Sequence, residues 1–136
     1  MERKIQHVVL IDDNKTTNFL NTYLMLKSKR FAKIESYTEA PEVLHMLQNT
    51  PSFEPDLIFL DLNMPIMTGW EFLAEFQKLV PKKRSKTKIF VLTSTICNEW
   101  KSRITPNNLE EYLIKPLNLD LIESLCFKHF ESTYYI

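Results

Sequence analysis

The stretch 8-VVLIDD-13 runs from apolar residues straight into two adjacent aspartates. Val8, Val9, Leu10 and Ile11 read as a strand covered on both faces, because nothing polar interrupts them. A buried strand that ends on Asp12 and Asp13 poses an electrostatic problem. Two carboxylates ~4 Å apart repel by roughly 4 kcal/mol at an effective dielectric of ~20. Some other part of the chain has to bring positive charge to the end of this strand.

Working outward, the same unit recurs: a short apolar run followed by a helical pattern. The runs are HVVLID (7–12), AKIESY (32–37), DLIFLD (56–61), KIFVLT (88–93) and EYLIK (111–115). Phe19, Leu20, Tyr23 and Leu24 share one face of the first helix. Thr38 is placed to cap the second, with Pro41 in its first turn and Val43, Leu44 and Leu47 as its apolar stripe. Phe72, Leu73, Phe76 and Leu79 mark the third, and a short fourth is expected around Asn98–Ile104, stopped by TPNN (105–108). Asn118 is expected to cap the fifth, which buries Leu121, Ile122 and Leu125. Strict alternation of this kind predicts an α/β fold, a doubly wound five-stranded parallel sheet of order 2-1-3-4-5 with five helices, flavodoxin-like.

The length of 136 residues suits one domain, residues 1–136 with a core over about 7–130. Hydrophobic residues at 44% and charged residues at 25% exclude a disordered chain. Seventeen basic and seventeen acidic residues cancel, so no global field recruits nucleic acid or an anionic membrane. PKKRSKTK (81–88) lacks interleaved aromatics and is expected to be a solvated loop. Cys97 and Cys126 have no metal-like or disulfide spacing and read as packed thiols. MERKIQ leads directly into a strand and no long apolar run follows, which makes the cytoplasm the expected compartment. Gly69 is the only glycine, so turns must rely on Pro, Asn, Asp and Ser.

In an open sheet of this order the ligand site lies at the carboxyl ends of the strands, at the switch point. Strands one and three are neighbours there, so Asp12 and Asp13 meet Asp61, while Thr93 and Lys115 end strands four and five on the same rim. Three carboxylates, a hydroxyl and an ammonium suit a hard divalent cation and a phosphoryl group. Such a cation together with Lys115 is the expected source of the positive charge.

VVLIDD, LIFLDLNMPIMTG, VLTS and YLIKP also stand in the order found in the receiver domains of bacterial two-component response regulators. The chain resembles that family from about His7 to Phe130. The resemblance implies that Asp61 accepts phosphate from a phosphohistidine on a sensor histidine kinase or a histidine phosphotransfer protein. Asp13, Asp61 and the backbone carbonyl of Asn63 would ligate Mg2+ (Mn2+ is an alternative), with Asp12 acting through a bound water. Lys115 would pair with the phosphoryl oxygens across a cis Lys115–Pro116 bond, Thr93 would donate its hydroxyl, and Tyr112 would be the aromatic switch. The chain would change its phosphorylation state at Asp61 without being a turnover enzyme. Asn63 and Thr95 stand where receivers vary in hydrolysis rate, and TPNNLEE replaces the small residues common before strand five.

Simpler readings exist for each residue. Asp13 could cap the first helix, Asp61 could form an Asx turn, Lys115 could be a solvated lysine and Tyr112 a half-buried strand aromatic. His7, His45 and His129 lie off the motif positions and read as structural or surface residues. After the fifth helix only ESTYYI (131–136) remains, which suggests a stand-alone regulator. Its output partner is not named by the sequence; the face carrying Trp100, Tyr112 and the last helix would bind it. A haloacid dehalogenase-type phosphatase is the competing enzyme class, but Asn63 stands where its second aspartate belongs. A degenerate receiver that binds partners without phosphate is disfavoured because every key residue is present.

Overall fold

The computed structural model describes residues 4–94 and 109–134 of the chain. Strands β1 (Ile5–Ile11), β2 (Phe31–Tyr37), β3 (Leu57–Asp61), β4 (Lys88–Thr93) and β5 (Leu109–Ile114) form one sheet. Every neighbouring pair is parallel and the order is β2-β1-β3-β4-β5, as the alternation predicts. The described helices are α1 (Lys15–Ser28), α2 (Ala40–Asn49), α3 (Gly69–Phe76), α4 (Pro81–Lys86) and α5 (Leu119–Tyr134).

The two faces of the sheet are covered separately. Val9, Ile11, Ile58, Leu60, Ile89 and Val91 pack under α2 and α3, where Val43, Leu47, Phe72 and Phe76 complete one apolar layer. Val8, Leu10, Phe59, Phe90 and Leu92 face α1 and α5, meeting Met25, Ile122, Leu125 and Cys126. Strict alternation along β1, β3 and β4 thus feeds both layers. This is why these strands read as unbroken apolar runs rather than as half-polar ones.

Four local expectations are changed. The segment 81–88 is not a loop: Pro81–Lys86 makes a short helix, because Pro81 suits a first turn and its cations find acceptors. Lys83 donates to the carbonyls of Thr50 (2.9 Å) and Phe53 (2.8 Å), and Lys86 reaches Asp56 at 2.7 Å. Helix α2 has Glu39, not Thr38, at its N-cap and no side-chain capping bond there, since Pro41 already suits the first turn. Leu79 lies beyond the end of α3, which finishes at Phe76, yet still packs on the core. On α1 the apolar set faces outward: Phe19, Leu20 and Tyr23 are exposed, while Asn18, Asn21 and Met25 are buried. A fixed helix rotation is the reason, and it comes from Asn18, whose amide binds the carbonyls at the ends of β1 and β2.

The cap expected from Asn118 is present, its Oδ1 accepting the Leu121 N–H at 2.8 Å. The Lys115–Pro116 peptide bond is cis. The helix expected around 98–104, together with Thr95, Cys97, Trp100 and TPNN, lies outside the described residues.

Gly69 ties α3 to the end of β3. Its N–H donates to the Leu62 carbonyl at 3.0 Å. A Cβ at this position would lie 2.6 Å from the Asp61 carbonyl oxygen and 2.7 Å from the Leu62 Cα. Both obstacles are backbone, so neither can swing away. Thr68 and Glu71 close a capping box around the same turn. Gly69→Ala should therefore destabilise the chain by about 1–3 kcal/mol, as overpacking does. Urea unfolding with an unchanged slope and a lower midpoint is the expected result.

Candidate functional site

Strands β1 and β3 end side by side, with Ile11 paired to Leu60, so Asp12 and Asp61 emerge from adjacent strand ends. Both are buried, at 4% exposure each, whereas Asp13 faces solvent. One carboxylate oxygen from each of Asp12, Asp13 and Asp61 lies within 4.8 Å of the others. Lys115, carried past the end of β5, places its Nζ 2.9 Å from Asp12 Oδ2 and 3.4 Å from Asp61 Oδ1. The Lys115 N–H donates to the Thr93 carbonyl at 2.8 Å, which locks the ends of β4 and β5 together. Thr93 itself is fully buried. Asp12, Asp13, Asp61 and Lys115 therefore converge on one crevice, with Thr93 at the adjacent strand end.

The simpler readings resolve differently. Asn14, not Asp13, caps α1, its Oδ1 accepting the Thr17 N–H at 3.0 Å. Asp13 is thereby spared that duty. Asp12 Oδ1 accepts the Asn14 N–H at 2.9 Å, and Asp61 Oδ1 accepts the Asn63 N–H at a longer 3.3 Å. An Asx turn at Asp61 is thus real and coexists with its place in the cluster. Tyr112 is half-buried against the α2–α3 layer, and burial pushes its phenol up from the ordinary value. His7 contacts Glu35 and Phe53, His45 contacts Asn49, and His129 stacks near Phe90, all away from the crevice.

Charge in the crevice is unevenly balanced. Burial first, and the neighbouring Asp12 charge second, push the Asp61 carboxyl above the usual carboxylate value. Lys115 and the Asn63 N–H pull in the other direction but do not overcome them. For Lys115 the largest single influence is burial, which disfavours the ammonium. Its hydrogen bond to Asp12 and the charges of Asp61 and Asp12 outweigh that, so the ammonium is held above its ordinary value. One lysine stabilises the pair without neutralising three carboxylates. An all-oxygen donor set with residual negative charge fits a hard divalent cation, and among the described residues no His or Cys belongs to it.

Asn18 was not singled out from sequence, although it lies directly beneath Asp12. A polar residue among apolar ones on a helix is a signal only if that face is known to be buried.

A parallel 2-1-3-4-5 sheet with an acidic cluster and a lysine at its carboxyl edge defines the class of phosphoacceptor signalling domains. The chain matches the family described as response regulator receiver domain over residues 8–126, and it belongs to that family. A two-component response regulator from Cytophaga hutchinsonii superposes with a TM-score of 0.82 at 29% identity, covering 93% of this chain and 97% of that one. Hybrid signal transduction histidine kinase D of Dictyostelium discoideum is 24% identical over 87% of this chain. The sensory transduction protein LytT of Enterococcus faecalis is 25% identical over 90% of it. The chain spans 8% and 47% of the lengths of those two curated relatives. No described helix is long and apolar enough to cross a membrane.

A carboxyl raised in the folded state makes the fold less stable once ionised. Stability falls as pH rises from the unfolded carboxyl value to the raised folded value, and the loss is complete above that window. Asp61→Asn removes the charge and keeps the shape. It should raise the Tm of the metal-free protein at neutral pH, since the raised carboxyl costs stability once ionised. The gain should vanish below pH ~4, where the unfolded carboxyl also protonates. Scanning calorimetry in chelator across that range checks the sign.

Proposed function

We propose that Asp61 is the phosphoacceptor of this receiver and takes its phosphoryl group from a phosphohistidine on a partner protein. The observation that carries this reading is the convergence of Asp61 with Asp12, Asp13 and Lys115 at the switch point of the sheet. An Asp61 carboxylate oxygen attacks phosphorus, the phosphorus–nitrogen bond breaks, and its electron pair returns to the imidazole of the donor. The acyl phosphate formed is later lost to water at the same residue, which is a change of state rather than turnover of a substrate.

Lys115 balances charge before transfer and pairs with phosphoryl oxygens after it. Thr93, at the end of the adjacent strand, donates its hydroxyl to one of those oxygens. Asp12, Asp13, Asp61 and the Asn63 carbonyl are the groups that would hold Mg2+, and Mn2+ suits the same donors. When bound, such a cation offsets the carboxylate repulsion and favours in-line transfer. Asp12 and Asp13 hold it in place rather than react.

The donor has to cover the crevice rim to reach Asp61. Beside Lys115 that rim continues into a groove of about 420 Å³ lined by Leu20, Tyr23, Leu24, Pro116 and Leu117. The outward apolar residues of α1 therefore flank the reacting group, which supports a protein donor: a sensor histidine kinase or a histidine phosphotransfer protein. Output is read as binding of another protein at the face carrying Tyr112. A dehalogenase-type phosphatase gains no support, because Asn63 cannot supply the acid that Asp would.

Incubation with acetyl phosphate and Mg2+, followed by intact mass measurement, tests the acceptor. Wild type should gain one phosphoryl group that is stable to acid and labile to base, and Asp61→Asn should gain none. Asp12→Ala and Asp13→Ala should slow labelling and weaken Mg2+ binding. Equal labelling of Asp61→Asn would remove the assignment.

The signal is read as leaving through Thr93. Its hydroxyl, drawn toward a phosphoryl oxygen, pulls the end of β4 inward and favours a buried Tyr112 ring. The chain is then a two-state element whose populations phosphate shifts by its differential affinity for the two states. Thr93→Ala should still accept phosphate at Asp61 yet lose most of the NMR shift changes around Tyr112. Wild-type changes in the phosphorylated Thr93→Ala protein would sink this route.

A further inference from the structure

Helix α1 buries two asparagines, Asn18 and Asn21, on the stripe that it turns toward the sheet. Asn18 is 4% exposed. Its Nδ2 donates to the backbone carbonyl of Asp12 at 2.9 Å and to that of Tyr37 at 3.2 Å. The Tyr37 carbonyl also accepts the Asp12 N–H at 3.1 Å. The paired ladder of β1 and β2 ends at Ile11 and Tyr37, so the amide sits where the next rung of the sheet would be. It holds the Asp12 peptide from one side while the strand ladder holds it from the other.

The orientation of the amide is not arbitrary. Both neighbours are carbonyl oxygens, so only the NH2 end can face them. The Oδ1 is buried and has no hydrogen-bond partner among the described residues. A buried acceptor left unsatisfied is a cost that an apolar residue at this position would avoid. Met25, two turns further along the same stripe, shows that an apolar side chain fits under this helix. Packing therefore does not explain Asn18, whereas the two carbonyl contacts do.

What hangs from the held peptide is the acidic pair. Asp12 reaches Lys115 and the Asn14 N–H, and Asp13 follows on the next Cα. We infer that Asn18 is a positioning residue for the cation site: it touches neither metal nor phosphate, and it fixes the Asp12 backbone from which both carboxylates project. Groups that orient metal ligands commonly change affinity by about 10–100-fold when removed. The inference rests on the reading of the crevice as a divalent-cation site.

Mg2+ titration followed by amide NMR shifts in the crevice separates the two ideas. Wild type should show one saturable site near Asp12, Asp13 and Asp61; its absence there overturns the cation reading and this inference with it. Asn18→Leu, which keeps bulk and loses the donor, should bind Mg2+ at least about 10-fold more weakly. Asn18→Ser keeps a shorter donor and should fall between the two, and it serves as the readout if the leucine variant does not fold. Met25→Ala, which opens a void under the same helix, should lower stability and leave Mg2+ affinity at the wild-type value. Wild-type affinity in Asn18→Leu, or in Asn18→Ser where that is the readout, refutes the positioning role while the cation reading stands. An equal loss of affinity in Met25→Ala also refutes it, since the effect would then be general loosening of α1.

Discussion

The contact of the Lys115 ammonium with Asp12 and Asp61, at 2.9 and 3.4 Å, is the interaction on which the carboxyl edge of the sheet depends. It links the ends of β1, β3 and β5, three elements far apart in sequence. Without it, two buried carboxylates would face each other across adjacent strands in a medium of low dielectric. With it, the crevice keeps negative charge that can attract a cation, while burial and the neighbouring Asp12 lift the Asp61 carboxyl above its ordinary value. The crevice is thus held in an under-neutralised state. A site that accepts both a divalent ion and a dianionic group needs that balance, since full neutralisation by protein cations would leave no demand for metal.

Around this charge cluster the backbone is pinned by groups that carry no charge. Gly69 allows the start of α3 to lie against the Asp61 peptide, and the Thr68–Glu71 capping box secures that turn. The Lys115 N–H on the Thr93 carbonyl fixes β4 to β5, and the Asn18 amide fixes the end of β1. Each side chain of the crevice therefore projects from a peptide held by a neighbouring element. Preorganisation of this kind lets small groups such as carboxylates act without a reorganisation cost at the moment of transfer.

The rotation of α1 connects packing to recognition. Because its inner stripe is committed to Asn18, Asn21 and Met25, the helix leaves Phe19, Leu20 and Tyr23 in solvent. Contiguous exposed apolar surface next to a reactive crevice marks an interaction site more often than a defect. The same rotation thus sets the acidic pair on one side and leaves an exposed apolar surface on the other.

The sequence by itself determined the parallel order, the strand ends that carry Asp12, Asp61, Thr93 and Lys115, and the Asn118 cap. These follow from two-sided burial and fixed crossover handedness, both of which leave their mark in runs of apolar residues. The Pro81–Lys86 helix was missed because its stability comes from cations meeting carbonyls thirty or more positions away, at Thr50 and Phe53. The inner face of α1 was misjudged for a related reason. Periodicity counts apolar side chains, whereas the rotation of this helix is set by an amide that answers two backbone carbonyls at the ends of β1 and β2. Carbonyls at the ends of strands come together only once the strands have stopped side by side, so tertiary structure alone decided which residues of α1 the protein buries.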